Sequence, residues 1–100
     1  MGIMSKIFDI GEFIDTETIA TVLNGLVARV KKRRKELGLT QRKLAERSGV
    51  SYASLRRFEK TGEIALASLL KIGQALNSLG DFNMLFKKSK IKNLKDYRGD

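Results

Sequence analysis

The chain has 100 residues, of which 20 are Lys or Arg and 11 are Asp or Glu, so its formal net charge is +9. It contains no Cys and no His, which excludes disulfides, Cys or His zinc sites, and nucleophilic catalysis through Cys or a Ser–His pair. Its length suits one domain, no apolar run approaches the roughly 20 residues of a membrane span, and we expect a cytoplasmic protein that is neither an enzyme nor a cofactor carrier.

Residues 1–14 are the first predicted segment, an N-terminal arm or a short helix. Asp9 and Glu12 lie within its apolar part, which argues against a signal peptide. The segment either packs on a partner subunit or is a frayed terminus. Its apolar positions are Ile3, Met4, Ile7, Phe8, Ile10, Phe13 and Ile14.

A long helix is predicted from about Thr16 to Leu37, capped by Asp15 or Thr16 and ended by Gly38. Arg34 lies on its apolar stripe and therefore points inward, where a guanidinium needs a partner. The stripe recurs in steps of three, four and seven residues, at Ile19, Val22, Leu23, Leu26, Val30 and Leu37.

Two short helices with a tight turn between them are predicted next. Residues 40–48, TQRKLAERS, form the first, with Thr40 as N-cap and Gly49 as the stop. Ser51 caps the second, which runs from Tyr52 to about Lys60 and ends at 61–62.

The remaining pattern predicts a fourth helix over about Leu66 to Asn77, a fifth short helix starting at Asp81, and a basic flexible tail. The domain organisation that follows is an arm (1–14), a helical domain (15–80), and a short helix with a basic tail (81–100). The fold class is all-α, a compact four- to five-helix domain.

The spacing from Gln41 onward matches a helix-turn-helix. This unit has a small residue at its fifth place, where the helices touch, and Gly at its ninth, where the turn is left-handed. Ala45 and Gly49 stand at those places. The fourth, tenth, fifteenth and eighteenth places are apolar, being Leu44, Val50, Leu55 and Phe58. Because the positive charge lies mostly beyond residue 28, a polyanion such as nucleic acid is the expected partner.

The segment RRKELGLTQRKLAERSGVSYASLRRFEKTGEIALASLLKIGQAL resembles the Xre/Cro-like repressor helix-turn-helix family, with GLTQxxLA, SGVS and a late Glu as its specific marks. The likeness covers about residues 19–80. It implies a lambda-repressor-like domain that binds double-stranded operator DNA as a homodimer. Small members of the family also serve as antitoxins, as HipB-like proteins do, which implies a co-encoded toxin as a further partner.

Arg34 and Glu59 are predicted to form a partly buried ion pair. The family commonly pairs an arginine late in its first helix with a glutamate at the end of the recognition helix. The residue spacing indicates the same contact, because Glu59 follows Leu55 by four residues and leans inward.

The helix beginning at Tyr52 is the predicted recognition helix, and helical geometry sorts its residues by role. Arg57 is the main candidate for base readout, because arginine donates bidentately to guanine O6 and N7. The family's base-reading positions correspond here to Tyr52, Ala53 and Arg57, with Ser54 close by, so the resemblance implies that these four residues read bases. The expected phosphate-binding residues are Gln41, Arg42, Ser51, Arg56 and Lys60, although Arg42 also fits a plain solvated face.

One stretch departs from the family pattern. The fourth helix begins GEIALAS, with Ala65 and Ala67 in a region where the family often carries a Ser or Thr cap and a polar phosphate contact, so phosphate contacts from that end of the helix are not expected. We expect a transcriptional regulator, in particular a repressor. The alternatives are an autoregulating antitoxin, an adaptor that binds protein and no DNA, and a peripheral membrane protein, for which the tail lacks a strong apolar face.

Overall fold

The computed structural model describes residues 16–89, so the predicted arm (1–14) and residues 90–100 of the basic tail lie outside the described residues. All regular structure within 16–89 is helical, which confirms the all-α prediction. The elements are α1 (Ile19–Glu36), α2 (Gln41–Ser48), α3 (Tyr52–Thr61), α4 (Leu66–Ala75) and a 3-10 helix (Leu79–Met84). No helix in this part of the chain is long and apolar enough to cross a membrane.

The start of α1 differs from the prediction. Its N-cap is Thr18, and not Thr16. The Thr18 hydroxyl accepts from the backbone N–H of Thr21 at 3.0 Å, and the Thr21 hydroxyl accepts from the Thr18 N–H at 2.9 Å. This reciprocal capping box satisfies two N–H groups that an earlier start would leave without these partners.

The apolar stripe of α1 is only partly buried, which corrects the expectation that it is all core. Ile19, Val22 and Leu37 are exposed. Leu23 lies against Gly62, and Leu26 and Val30 pack against the core. The N-terminal turns of α1 therefore present apolar side chains to solvent.

The helix-turn-helix forms as predicted. Thr40 and Ser51 are the N-caps of α2 and α3, and each hydroxyl accepts a backbone N–H at 3.0 Å. Gly49 ends α2 with φ 76°, in the left-handed region where a side chain would be strained. Gly62 ends α3 in the same conformation, with φ 83°.

The core lies where α2 packs against α3 and α4, with α1 against α3. Every small or apolar position of the helix-turn-helix pattern other than the turn glycine is buried in it. Its buried members are Leu39, Leu44, Ala45, Val50, Leu55, Phe58, Leu69, Ile72 and Leu76. These contacts fix the angle of α3, which is the predicted recognition helix.

The C-terminal elements also differ in detail from the prediction. Helix α4 ends at Ala75, and Asn77 follows in the left-handed conformation with φ 58°. The last helix begins at Leu79 rather than Asp81. It is of the 3-10 type, because its backbone N–H groups donate to carbonyls three residues earlier, as from Asp81 to Ser78. Its Phe82 packs against Gly73 and covers one end of the core.

Candidate nucleic-acid interface

The predicted recognition helix, α3, has two chemically distinct faces. Leu55, Phe58 and Glu59 are buried against the body of the domain. The opposite face is exposed and carries Ala53, Ser54, Arg56, Arg57 and Lys60, while Tyr52 in the first turn is half-buried. Small, polar and cationic side chains therefore share the surface that a groove of DNA would meet.

Arg34 and Glu59 meet inside the domain. Nε of Arg34 donates to Oε2 of Glu59 at 2.8 Å, and Nη2 donates to Oε1 at 3.1 Å. Nη1 of Arg34 donates to the carbonyl of Leu39 at 2.8 Å, so one guanidinium ties α1, the loop after it and α3 together. A bidentate pair with little exposure is the strong form of such a contact.

Gln41 joins this network through its side chain. Its Nε2 donates to Oε1 of Glu59 at 2.8 Å. The Gln41 side chain therefore binds the recognition helix, which leaves the backbone N–H groups at the start of α2 as the phosphate donors expected there. Within residues 16–89, no buried side-chain nitrogen or oxygen lacks a hydrogen-bond partner.

Tyr52 gathers two of the predicted phosphate-binding arginines. The guanidinium carbon of Arg42 lies 4.1 Å from the centre of the Tyr52 ring, and that of Arg56 lies 5.5 Å from it. These cation–π contacts join α2 to α3 and hold two positive charges beside the start of the recognition helix. The Tyr52–Arg56 contact has the i, i+4 spacing of a helix and could have been found from the sequence, whereas the Tyr52–Arg42 contact depends on how α2 meets α3.

Ser51 and Ser54 interact with each other at the first turn of α3. The Ser51 hydroxyl accepts from the Ser54 N–H and donates to the Ser54 hydroxyl oxygen at 2.8 Å. The proton of Ser51 is thereby used within the cap. The Ser54 side chain lies on the exposed face of α3.

Arg57 forms an ion pair that the sequence analysis did not predict. Its Nε donates to Oε1 of Glu63 at 3.0 Å, and its Nη2 donates to the same oxygen. Both side chains are exposed, at 69% and 61% of their surface. The turn at Gly62 brings Glu63 back beside α3, and a reversal of the chain six residues later gives no periodic signal in the sequence.

A shallow basic cleft lies beside the Arg34–Glu59 pair. Lys31 and Lys35 of α1 line it together with Arg56 and Lys60 of α3. Lys31 and Lys35 are four residues apart and flank Arg34, so their common face could have been found from helical spacing. Four cations from two helices thus border one edge of the recognition helix.

The helix-turn-helix is also identified by comparison with known protein families. A helix-turn-helix family model matches residues 30–82, more than half of the chain and all of α2, the turn and α3. The search of curated proteins found no match. Domains of this kind are DNA-binding and regulatory rather than catalytic. The chain therefore belongs to the Xre/Cro-like helix-turn-helix family, whose function is of the DNA-binding transcription-regulator kind.

Proposed function

We propose that the protein is a sequence-specific regulator of transcription that binds double-stranded DNA with α3 in the major groove. The observation that carries this proposal is the exposed face of α3, which combines small, polar and cationic residues on a helix braced by the buried Arg34–Glu59 pair. A helix held in this way can present its side chains to base edges with little loss of entropy on binding.

The proposed division of roles follows the positions of the side chains. Arg57 reads guanine, Tyr52 and Ala53 contact thymine methyl groups, and Ser54 donates to a base edge. Arg56 and Lys60, with the cleft behind them, hold one DNA strand. The Arg42 side chain, the backbone N–H group of Ser51 and the backbone N–H groups of Gln41 and Arg42 hold phosphates nearer the start of α3.

We further propose that the protein represses transcription as a homodimer on a two-fold operator. Support comes from exposed apolar residues outside α3, since a lone domain gains nothing from their exposure. Leu66 is 64% exposed and Phe86 is completely exposed, and Met84 and Leu85 lie beside Phe86. A two-fold dimer would place two copies of α3 about one helical turn of DNA apart.

Selection of bound duplexes from a random DNA pool tests the proposal. A two-fold symmetric consensus with half-sites about 10 base pairs apart is expected. Enrichment of a single half-site would retain DNA binding and reject the dimer. No enrichment would reject the proposed function and favour the adaptor alternative.

An antitoxin role is the second candidate, and the exposed residues 84–86 favour it. Phe86 has φ 59°, an unusual conformation for a bulky residue, and its side chain points into solvent. A co-encoded toxin could cover this apolar segment. Co-purification with the product of a neighbouring gene, lost on Phe86→Ser, would support the role, and purification of the tagged protein alone from cells expressing both genes would argue against it.

A further inference from the structure

Glu63 is held in place beside Arg57 by the local backbone. Gly62, in the left-handed conformation, reverses the chain at the end of α3. The Thr61 hydroxyl then donates to the carbonyl of Arg57 at 2.8 Å and accepts from the Glu63 N–H at 3.1 Å. These bonds fix the Glu63 backbone relative to Arg57 without using the carboxylate, which remains available for the guanidinium.

The ion pair with Glu63 uses one edge of the Arg57 guanidinium, and a second edge remains available for DNA. Nε and Nη2 of Arg57, which form the side edge, both donate to Oε1 of Glu63. The end edge, made of Nη1 and the second N–H of Nη2, presents two parallel donors. Two parallel donors are what the O6 and N7 acceptors of guanine require, so Arg57 does not need to leave Glu63 to bind guanine.

We propose that Glu63 is a specificity-determining positioning residue that orients the end edge of Arg57 toward a guanine in the bound operator. This inference rests on the proposed function, because it presupposes that α3 enters the major groove. Glu63 acts through two effects. It restricts an exposed and otherwise mobile arginine to one orientation, and its negative charge disfavours use of Arg57 on a phosphate of an unrelated sequence.

The opposite possibility is that Glu63 only competes with DNA for Arg57. Removing the carboxylate would then strengthen binding to every duplex and leave sequence discrimination unchanged. If Glu63 instead orients Arg57, removing the carboxylate should reduce sequence discrimination at one base pair and leave general DNA binding unchanged or stronger. The two possibilities are therefore separated by discrimination rather than by affinity.

The experiment uses the full chain and the duplex that the wild-type protein selects from a random pool. Dissociation constants are measured for that duplex and for every single base-pair substitution of it. The proteins are wild type, Glu63→Gln, Arg57→Ala and the double variant. Glu36→Gln is the matched control, because Glu36 forms an exposed ion pair with Arg33 at 3.6 Å on α1, away from Arg57.

Arg57→Ala identifies the base pair that Arg57 reads, as the position where discrimination is lost. At that base pair alone, Glu63→Gln is expected to lower discrimination by about three- to tenfold, part of what a bidentate arginine contributes. In the Arg57→Ala background Glu63→Gln should change nothing there, and Glu36→Gln should match wild type. The melting temperature of Glu63→Gln should be unchanged, since an exposed pair adds little stability.

Unchanged discrimination in Glu63→Gln, or an equal loss in the Arg57→Ala background, would overturn the inference while leaving the proposed function intact. The inference would also be overturned if Arg57→Ala reduced discrimination at no base pair. If the wild-type protein selects no sequence, the proposed function fails and the inference fails with it.

Discussion

Two of the Arg–Glu ion pairs in this protein differ in their exposure to solvent. The Arg34–Glu59 pair is nearly excluded from solvent, with side chains 10% and 3% exposed, whereas the Arg57–Glu63 pair is open to water. Water and salt weaken an exposed pair, and a buried pair that loses one partner leaves an uncompensated charge. The same two residue types therefore brace the fold at one place, and we propose that they serve DNA recognition at the other.

Arg34→Ala is expected to destabilise the domain by about 3–5 kcal/mol, because Glu59 keeps its buried charge and loses its bidentate partner. Thermal and urea unfolding would measure the change. Arg57→Ala is the matched control and should alter stability by less than about 1 kcal/mol. Equal unfolding curves for Arg34→Ala and wild type would show that the buried pair does not brace α3.

Arg57 and Arg56 are adjacent but should behave differently when removed. Arg57→Ala should cost about 1–3 kcal/mol on the selected operator and relax preference at one base pair, because it removes a bidentate base contact. Arg56→Ala should weaken binding to all duplexes by a similar factor. It should also reduce the slope of log K against log salt by about 0.9, the value for one phosphate contact.

Fluorescence anisotropy with the selected duplex and with an unrelated duplex would separate these effects. The roles are reversed if Arg56→Ala relaxes one base pair and Arg57→Ala only reduces the salt slope. The same measurement applies to Tyr52, because the guanidinium groups of Arg42 and Arg56 both lie over its ring. Tyr52→Leu should therefore weaken general binding as Arg56→Ala does.

Among the glycines that the structure describes, Gly73 on α4 leaves the least room for a side chain, because the 3-10 helix packs against it. A methyl group at Gly73 would lie 2.5 Å from the ring of Phe82. Gly73→Ala should therefore displace Phe82 and destabilise the domain by about 1–3 kcal/mol, although Ala is normally the better helix former.

Gly80→Ala is the control for that substitution, because nothing lies within 4 Å of its added methyl group. Its unfolding midpoint in urea should match wild type closely. A Gly73→Ala variant as stable as wild type would mean that Phe82 does not pack on α4 in solution, and that the 3-10 helix is not part of the core.

The sequence predicted the helix-turn-helix well because each signal there is local. Thr40, Ser51 and Gly49 act within a few residues of their own positions, and the periodic apolar residues between them face one core. Arg34 was also informative, since a charge on an apolar stripe implies a partner. The start of α1 was missed because Asp15, Thr16 and Thr18 are all suitable caps, and the reciprocal bond of Thr18 with Thr21 decides among them.

Contacts between distant segments could not be predicted in the same way. The exposure of Ile19 and Val22 depends on where α1 meets the domain, which its own periodicity does not encode. The Tyr52–Arg42 contact depends on how α2 approaches α3, and the Arg57–Glu63 pair depends on the turn at Gly62. These are the features that place the candidate base-reading and phosphate-binding groups.

For the whole molecule, the charge of +9 makes binding to any duplex expected, so affinity alone says little about function. Nonspecific binding comes almost entirely from phosphate contacts and falls steeply with salt. In the proposed binding mode, specific binding would add base contacts from α3, which depend less on salt. The proposed function is therefore tested by the ratio of the affinity for the selected duplex to the affinity for an unrelated duplex, both measured in the same buffer.

That ratio is the most direct test of the claim that α3 reads DNA sequence. Dissociation constants of the wild-type protein for its best selected duplex and for a scrambled duplex of the same composition would be compared at about 150 mM salt. The expected result is a preference of about 10³ or more for the selected duplex, reduced by Arg57→Ala. Equal affinity for the two duplexes, with a steep fall in both as salt rises, would contradict sequence-specific recognition by this helix.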